Sequence, residues 1–120
     1  MLTARNLTKN YSNLPVLKGV DVTVNKGEIV TIVGSSGAGK STLLHILGTL
    51  DTPTSGEVWL NDVNLTALKG NALADFRNRH MGFIFQFHHL LPEFTAIENV
   101  CVPGFIAGHN KNEVKKRAVF

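Results

Sequence analysis

The sequence predicts an α/β fold in which antiparallel strands at the N-terminus are followed by buried strands and helices. Three observations lead to this prediction. The stretch at 16–24 alternates valines with polar residues, as a strand with one buried face does. The run at 28–33 is apolar on both faces, which is typical of a strand in a covered parallel sheet. A glycine-rich loop at 34–42 follows this run and leads into an apolar helix.

The elements of the first half can be justified in order. Short strands are predicted at 2–7 and 16–24, joined by a turn that contains asparagines and a proline. After the run at 28–33, a helix is predicted from Lys40 to Leu50, because the breaker DTPTSG follows it. The apolar side of this helix is predicted to consist of Leu43, Leu44, Leu47 and Leu50. The stretch EVWLN is predicted to be a further strand, at 57–61.

The second half alternates helices with one more apolar run. A short helix is predicted at 71–80, and the run MGFIF at 81–85 predicts a second buried strand. Thr95 and Glu98 have the spacing of a capping box, which predicts that a helix starts at AIENV. The segment 110–120 begins a helix without a stop signal, so we expect the chain to be cut inside an element. Because no repeat or linker interrupts this order, one continuous unit is predicted.

Composition excludes several classes of function. The chain has 120 residues, and none of its stretches has the apolar length of a membrane span or signal peptide, so a soluble cytoplasmic chain is predicted. The net charge is +3, but the basic residues are scattered, which argues against binding of nucleic acid. Cys101 is the single cysteine and is predicted to be buried. The pair His88 and His89 lacks acidic or cysteine partners at the spacing of metal ligands.

The sequence GSSGAGKST has the spacing of a P-loop: Gly34, four residues, Gly39, Lys40 and Ser41. Glycines leave backbone N–H groups open to a triphosphate, and the amides of 37–41 are predicted to surround its oxygens. Lys40 is predicted to reach the β and γ phosphates, and the Ser41 hydroxyl to hold Mg²⁺. A glycine-rich turn without a ligand is the structural alternative. The predicted phosphate-binding residues are Gly34, Ser35, Ser36, Gly37, Ala38, Gly39, Lys40, Ser41 and Thr42.

The surroundings of the P-loop resemble the nucleotide-binding subunit of ABC transporters. The resemblance rests on Tyr11, on the stretch from PVLKGV to EVWLN and on RNRHMGFIFQ, and it extends from Leu2 to the end of the chain. It implies a P-loop NTPase fold of the ABC ATPase type, with an antiparallel β subdomain and part of a parallel core sheet. It also implies ATP and Mg²⁺ as ligands, and a second copy of the subunit as partner in an ATP-bound homodimer.

The same resemblance assigns roles to individual residues. It implies that Tyr11 stacks on adenine and that Val16 lies beside the sugar and base. It makes Gln86 the Q-loop glutamine, which touches Mg²⁺ and the attacking water, so Lys40 and Gln86 are the expected catalytic residues. A packing role for Tyr11 and an ordinary polar role at a strand end for Gln86 remain the alternatives.

The segment after Gln86 carries a narrower resemblance. The stretch FIFQFHHLLPEFTAIENVCVPGF is similar to the ATPases of lipoprotein-releasing (Lol) systems, where it faces the transmembrane subunits. This implies a role in lipoprotein release on the inner face of the bacterial inner membrane; macrolide-efflux and cell-division ATPases are the alternatives. The range from Phe87 to Phe94 is rich in apolar side chains, which favours a partner site over a loop that covers the core.

Three motifs that the ABC ATPases carry further along the chain are missing from the 120 residues. The chain has no LSGGQ signature, no apolar run that ends in Asp-Glu (Walker B) and no switch histidine after such a run. Residues 1–120 are therefore interpreted as the N-terminal part of a nucleotide-binding domain. Alone, they are expected to be marginally folded and inactive in hydrolysis. A truncated nucleotide-binding module remains the alternative to a working ATPase.

Overall fold

The computed structural model describes residues 1–119, which form two compact units. The first unit runs from Met1 to Leu73, and the second starts at Ala74. The strands are β1 (Leu2–Tyr11), β2 (Leu14–Val24), β3 (Ser55–Leu60) and β4 (Val63–Asn64). The α-helices are α1 (Lys40–Leu47), α2 (Gly70–His80), α3 (Ala96–Ile106) and α4 (Lys111–Ala118), and a 3₁₀ turn covers Leu65–Ala67.

The four strands form one antiparallel sheet in the order β2-β1-β3-β4. The hairpin of β1 and β2 pairs Leu2 with Val24 at one end and Tyr11 with Leu14 at the other. Its turn therefore has only two residues, and Ser12 takes a φ of 55° there. The first strand is four residues longer than predicted, because polar residues 8–11 also pair with β2.

Burial along β2 follows the predicted alternation. Val20, Val22 and Val24 are half-buried, whereas Asp21 and Thr23 are exposed. The strand thus covers the core with one face and meets solvent with the other, as alternating antiparallel strands do. This part of the prediction is confirmed.

The core of the first unit combines apolar side chains of the sheet with those of α1. Leu43, Ile46 and Leu47 of α1 are less than 10% exposed, and their spacing places them on one stripe of the helix. The predicted apolar side is wrong in two positions: Leu44 is 55% exposed, and Leu50 lies beyond the helix end and is 42% exposed. The buried apolar residues from the rest of the unit are Ala4, Leu7, Leu17, Val58 and Leu65.

The prediction of buried strands at 28–33 and 81–85 is wrong for the described residues. Neither 28–33 nor 81–85 pairs with any strand within residues 1–119. Ile29 is 94% exposed, Val33 is 82% exposed and Ile84 is fully exposed. An apolar run supplies the propensity for a strand, but its N–H and C=O groups form a ladder only where a partner strand is present.

The second unit contains the predicted capping box. The Thr95 backbone N–H donates to Glu98 Oε1 at 2.9 Å, and the Glu98 N–H donates to Thr95 Oγ1 at 3.2 Å. The hydrogen bond from the Thr95 backbone holds the pKa of Glu98 below its usual value. Cys101 in α3 is 1% exposed, which confirms its predicted burial.

The last helix starts where the sequence predicted it. Asn110 caps α4, because its Oδ1 accepts from the backbone N–H of Asn112 at 2.9 Å. The helix ends at Ala118, and Phe120, the last residue of the predicted helix, lies outside the described residues. None of the helices in residues 1–119 has the length and apolar character that a bilayer crossing requires.

Candidate nucleotide-binding site

The glycine-rich loop has the backbone that its sequence requires. Gly37 and Gly39 have φ values of 80° and 92°, in the left-handed region that favours glycine. A Cβ on Gly39 would lie 3.0 Å from a Val16 methyl and 3.2 Å from the Val16 carbonyl oxygen. The loop therefore passes β2 so closely that a side chain at position 39 has no space.

Lys40 is the first residue of α1 and folds back over the loop. Its Nζ donates to the carbonyl oxygens of Gly34 at 2.7 Å and Ser35 at 2.6 Å. Within the described residues, no side chain caps the N-terminus of α1, and the first turn has no acidic residue. The open N–H groups and the positive end of the helix dipole leave this position favourable for an anion.

A cavity of about 430 Å³ opens at this helix end. Its lining combines backbone N–H groups, one ammonium and three hydroxyls, a set of donors that fits phosphate oxygens and, at Ser41, a hard cation. Every lining residue belongs to the predicted site. They are Val16, Ser36, Gly37, Gly39, Lys40, Ser41 and Thr42.

Tyr11 lies at the end of β1 and does not line this cavity. The residue is 46% exposed, and its hydroxyl donates to Asp51 Oδ2 at 2.8 Å. The Lys9 ammonium lies over the ring, 5.1 Å from its centroid. No sequence pattern identifies Lys9 and Asp51 as neighbours of Tyr11, because 42 residues separate Lys9 from Asp51.

Gln86 lies in the second unit, exposed and in a bend. The predicted placement at the end of a buried strand does not apply, since 81–85 forms no strand pairing within the described residues. Its role at Mg²⁺ and the attacking water stays a prediction.

The range Phe87–Phe94 presents apolar side chains to solvent. Phe87 is 71% exposed and Leu90 is 64% exposed, while Leu91 and Phe94 are slightly less than half exposed. Asn99 of α3 holds the end of this loop: its Oδ1 accepts from the Leu91 N–H at 2.8 Å. Its Nδ2 lies within hydrogen-bond distance of the carbonyl oxygens of Leu91, Phe94 and Thr95. The role of this loop as a partner site stays a prediction.

Comparison with known proteins decides the family. The family model described as ABC transporter matches residues 17–119. The chain belongs to the ABC transporter family. Residues 17–119 include the glycine-rich loop and the apolar loop, so the family resemblance found in the sequence is confirmed.

Within the family, the chain is similar to ATP-binding proteins of lipoprotein-releasing systems. The chain is 53% identical to the lipoprotein-releasing system ATP-binding protein LolD of Bacteroides thetaiotaomicron over 99% of its length, covering 55% of that protein. It is 53% identical to LolD of Porphyromonas gingivalis (98% of this chain, 54% of that protein) and 56% identical to LolD of Shewanella frigidimarina (94% and 49%). The chain thus spans about half the length of the curated relatives it matches.

Solved structures support the fold class. The ATP-binding cassette MJ0796, in a dimeric post-hydrolysis state bound to ADP and Pi, superposes with a TM-score of 0.91 and 38% identity. This match covers 99% of the chain and 54% of the cassette. A second dimeric structure of MJ0796, a bacterial ABC transporter cassette, gives a TM-score of 0.92 at the same identity and coverage. The predicted ABC ATPase fold is confirmed.

Proposed function

We propose that this chain is the nucleotide-binding part of an ABC ATPase that powers the release of lipoproteins from the inner membrane. The observation that carries the proposal is the cavity at the N-terminus of α1, whose lining consists of the predicted P-loop residues and Val16. The identity of about half to the LolD proteins supports lipoprotein as the substrate, in preference to macrolides or the division machinery.

The residues of the cavity bind and orient a nucleoside triphosphate. Backbone N–H groups at 37–41 donate to the phosphates, and the α1 dipole adds attraction for their charge. The Lys40 ammonium exchanges its carbonyl partners, Gly34 and Ser35, for the β and γ phosphates. Before ATP binds, the two hydrogen bonds to Gly34 and Ser35 already hold the Lys40 ammonium over the loop.

Mg²⁺, when bound, neutralises charge that develops on the phosphates during their transfer. The Ser41 hydroxyl is the ligand that the cavity offers, and it is a hard oxygen donor of the kind that Mg²⁺ prefers. We propose Gln86 as the residue that orients the attacking water. Hydrolysis itself is proposed for the whole protein, in which a second copy completes the site, as the dimeric state of the MJ0796 cassette suggests.

The exposed apolar range Phe87–Phe94 is proposed to contact the transmembrane subunits on the cytoplasmic face of the inner membrane. Four large apolar side chains in one exposed loop favour a protein partner over water. The four contacts of Asn99 keep the C-terminal part of the loop in one conformation, which lowers the entropy cost of docking.

The function can be tested in a Gram-negative strain depleted of its own lipoprotein-releasing ATPase. The complete protein, expressed with its transmembrane subunits, is expected to restore the transfer of lipoproteins to the outer membrane. Leu91→Asp is expected to abolish both this rescue and co-purification with the subunits, because a carboxylate cannot enter an apolar interface unpaired.

Binding of Mg·ATP should survive Leu91→Asp, since Leu91 is not among the residues that line the P-loop cavity. Ile106→Asp is the matched control for placing a carboxylate at an exposed apolar position, because Ile106, like Leu91, is in the second unit and is 67% exposed. Co-purification that persists in Leu91→Asp would exclude the loop as the docking site. Restored macrolide resistance without lipoprotein transfer would point to the efflux alternative.

A further inference from the structure

Lys9, Tyr11 and Asp51 form a cluster that links the end of β1 to the loop after α1. Asp51 Oδ1 accepts from Lys9 Nζ at 3.0 Å, and Asp51 Oδ2 accepts from the Tyr11 hydroxyl at 2.8 Å. The Lys9 ammonium also lies over the tyrosine ring. Each member of the cluster therefore contacts both of the others.

The two charged members of the cluster are partly shielded from solvent and share several hydrogen bonds. The Lys9 side chain is only 12% exposed and that of Asp51 30%. Lys9 Nζ donates additionally to the Thr52 carbonyl oxygen at 2.6 Å, and the Thr52 N–H donates to Asp51 Oδ1 at 2.8 Å. Partial burial acts to raise the pKa of Asp51, but hydrogen bonds from Lys9, Tyr11 and Thr52 outweigh it and leave the pKa lowered. Asp51 is thus a carboxylate, the form that the other two residues require.

Asp51 is itself fixed to the helix that begins at the P-loop. The backbone N–H groups of Leu50 and Asp51 both donate to the His45 carbonyl oxygen, at 2.8 and 3.2 Å. These hydrogen bonds hold residues 50–51 against the last turn of α1, the helix whose first residue is Lys40. Tyr11 is therefore linked, through Asp51, to the helix that begins with Lys40.

We propose that Lys9 and Asp51 are positioning residues for the nucleotide base, holding the Tyr11 ring so that its face away from Lys9 stacks on adenine. The inference rests on the proposed function, in which ATP binds at the P-loop. An unrestrained tyrosine samples several rotamers, and stacking then costs the entropy of selecting one of them. The hydrogen bond of the Tyr11 hydroxyl to Asp51 and the Lys9 ammonium over one face of the ring select one orientation before ATP binds. Stacking then no longer carries this entropy cost.

The test compares two probes, Mg·ATP and the magnesium complex of inorganic tripolyphosphate, by calorimetric titration of the full chain. Tripolyphosphate offers the phosphates without a base. Tyr11→Ala, Tyr11→Phe and Asp51→Ala are each expected to bind Mg·ATP about threefold to tenfold more weakly, with unchanged affinity for tripolyphosphate. Asp62→Ala, which alters an exposed carboxylate in the turn before β4, is the matched control and should leave both affinities unchanged.

Lys40→Ala should weaken the binding of both probes, and this separates the inference from the proposed function. If tripolyphosphate binds neither to the unaltered chain nor to any of the variants, the P-loop site itself would be rejected. Full affinity of Asp51→Ala and Tyr11→Phe for Mg·ATP, with loss only in Tyr11→Ala, would overturn the positioning role. An equal loss for both probes in Asp51→Ala and Tyr11→Phe would also overturn it, because the cluster would then act through the fold.

Discussion

Replacement of Lys40 by alanine is expected to weaken the binding of Mg·ATP by roughly 10- to 100-fold. Among the described residues, the ammonium is the one cation in the cavity lining, and a hydrogen bond to a charged group contributes about 1.5–3 kcal/mol. In the absence of nucleotide, the variant loses only two hydrogen bonds to loop carbonyls, so its fold should be retained. Isothermal titration calorimetry of the chain and the variant measures the difference.

Lys26→Ala is the control for a general effect of charge. Lys26 is exposed in the turn after β2 and does not line the cavity. Its removal is expected to change the affinity by less than about twofold, because exposed charges are screened within about 10 Å. An affinity for Mg·ATP that is equal in Lys40→Ala and the unaltered chain would remove the P-loop as the nucleotide site.

Gly56→Ala is expected to lower the free energy of unfolding by about 3 kcal/mol or more. Gly56 lies in β3 with a φ of 99°, and a Cβ there would lie 2.5 Å from the Asn6 carbonyl oxygen. The Arg5 carbonyl oxygen would lie 2.7 Å away. Both atoms belong to the backbone of β1, so relief requires the two strands to separate locally. Urea denaturation monitored by the fluorescence of Trp59, also in β3, measures the change.

Gly27→Ala separates the steric effect from the cost of the backbone conformation. Gly27 has a φ of 78°, but an added Cβ would meet no atom within 4 Å. This variant is expected to lose only about 1 kcal/mol, the cost of a left-handed conformation for alanine. Equal losses in the two variants would mean that β1 and β3 approach less closely than the structure indicates.

The P-loop was predictable because its information is local. Nine consecutive residues contain the glycines, the lysine and the hydroxyls, and the helix that follows fixes their geometry. Of the seven residues that line the cavity, six come from this stretch. Val16 is the exception, and the resemblance to the ABC family supplied it. The capping box at Thr95 and Glu98 was predictable for the same reason.

Contacts between distant parts of the chain were not predictable. Lys9 and Asp51 are 42 residues apart, and only the fold brings them together. No sequence pattern distinguishes Asn99 from other polar residues of a helix, because its four contacts depend on how residues 91–95 fold back towards α3. The apolar runs at 28–33 and 81–85 were predicted as strands from their side chains, but strand formation depends on hydrogen-bonding partners that a local pattern does not contain.

A crystal structure of the protein with Mg·ATP would show whether the phosphates lie at the glycine-rich loop. We expect the phosphates to accept hydrogen bonds from the amides of 37–41 and Ser41 Oγ to contact Mg²⁺. The Lys40 ammonium should have moved from the carbonyl oxygens of Gly34 and Ser35 to the β and γ phosphates. Nucleotide bound elsewhere, with Lys40 still on those carbonyls, would show that the glycine-rich loop is not the phosphate site.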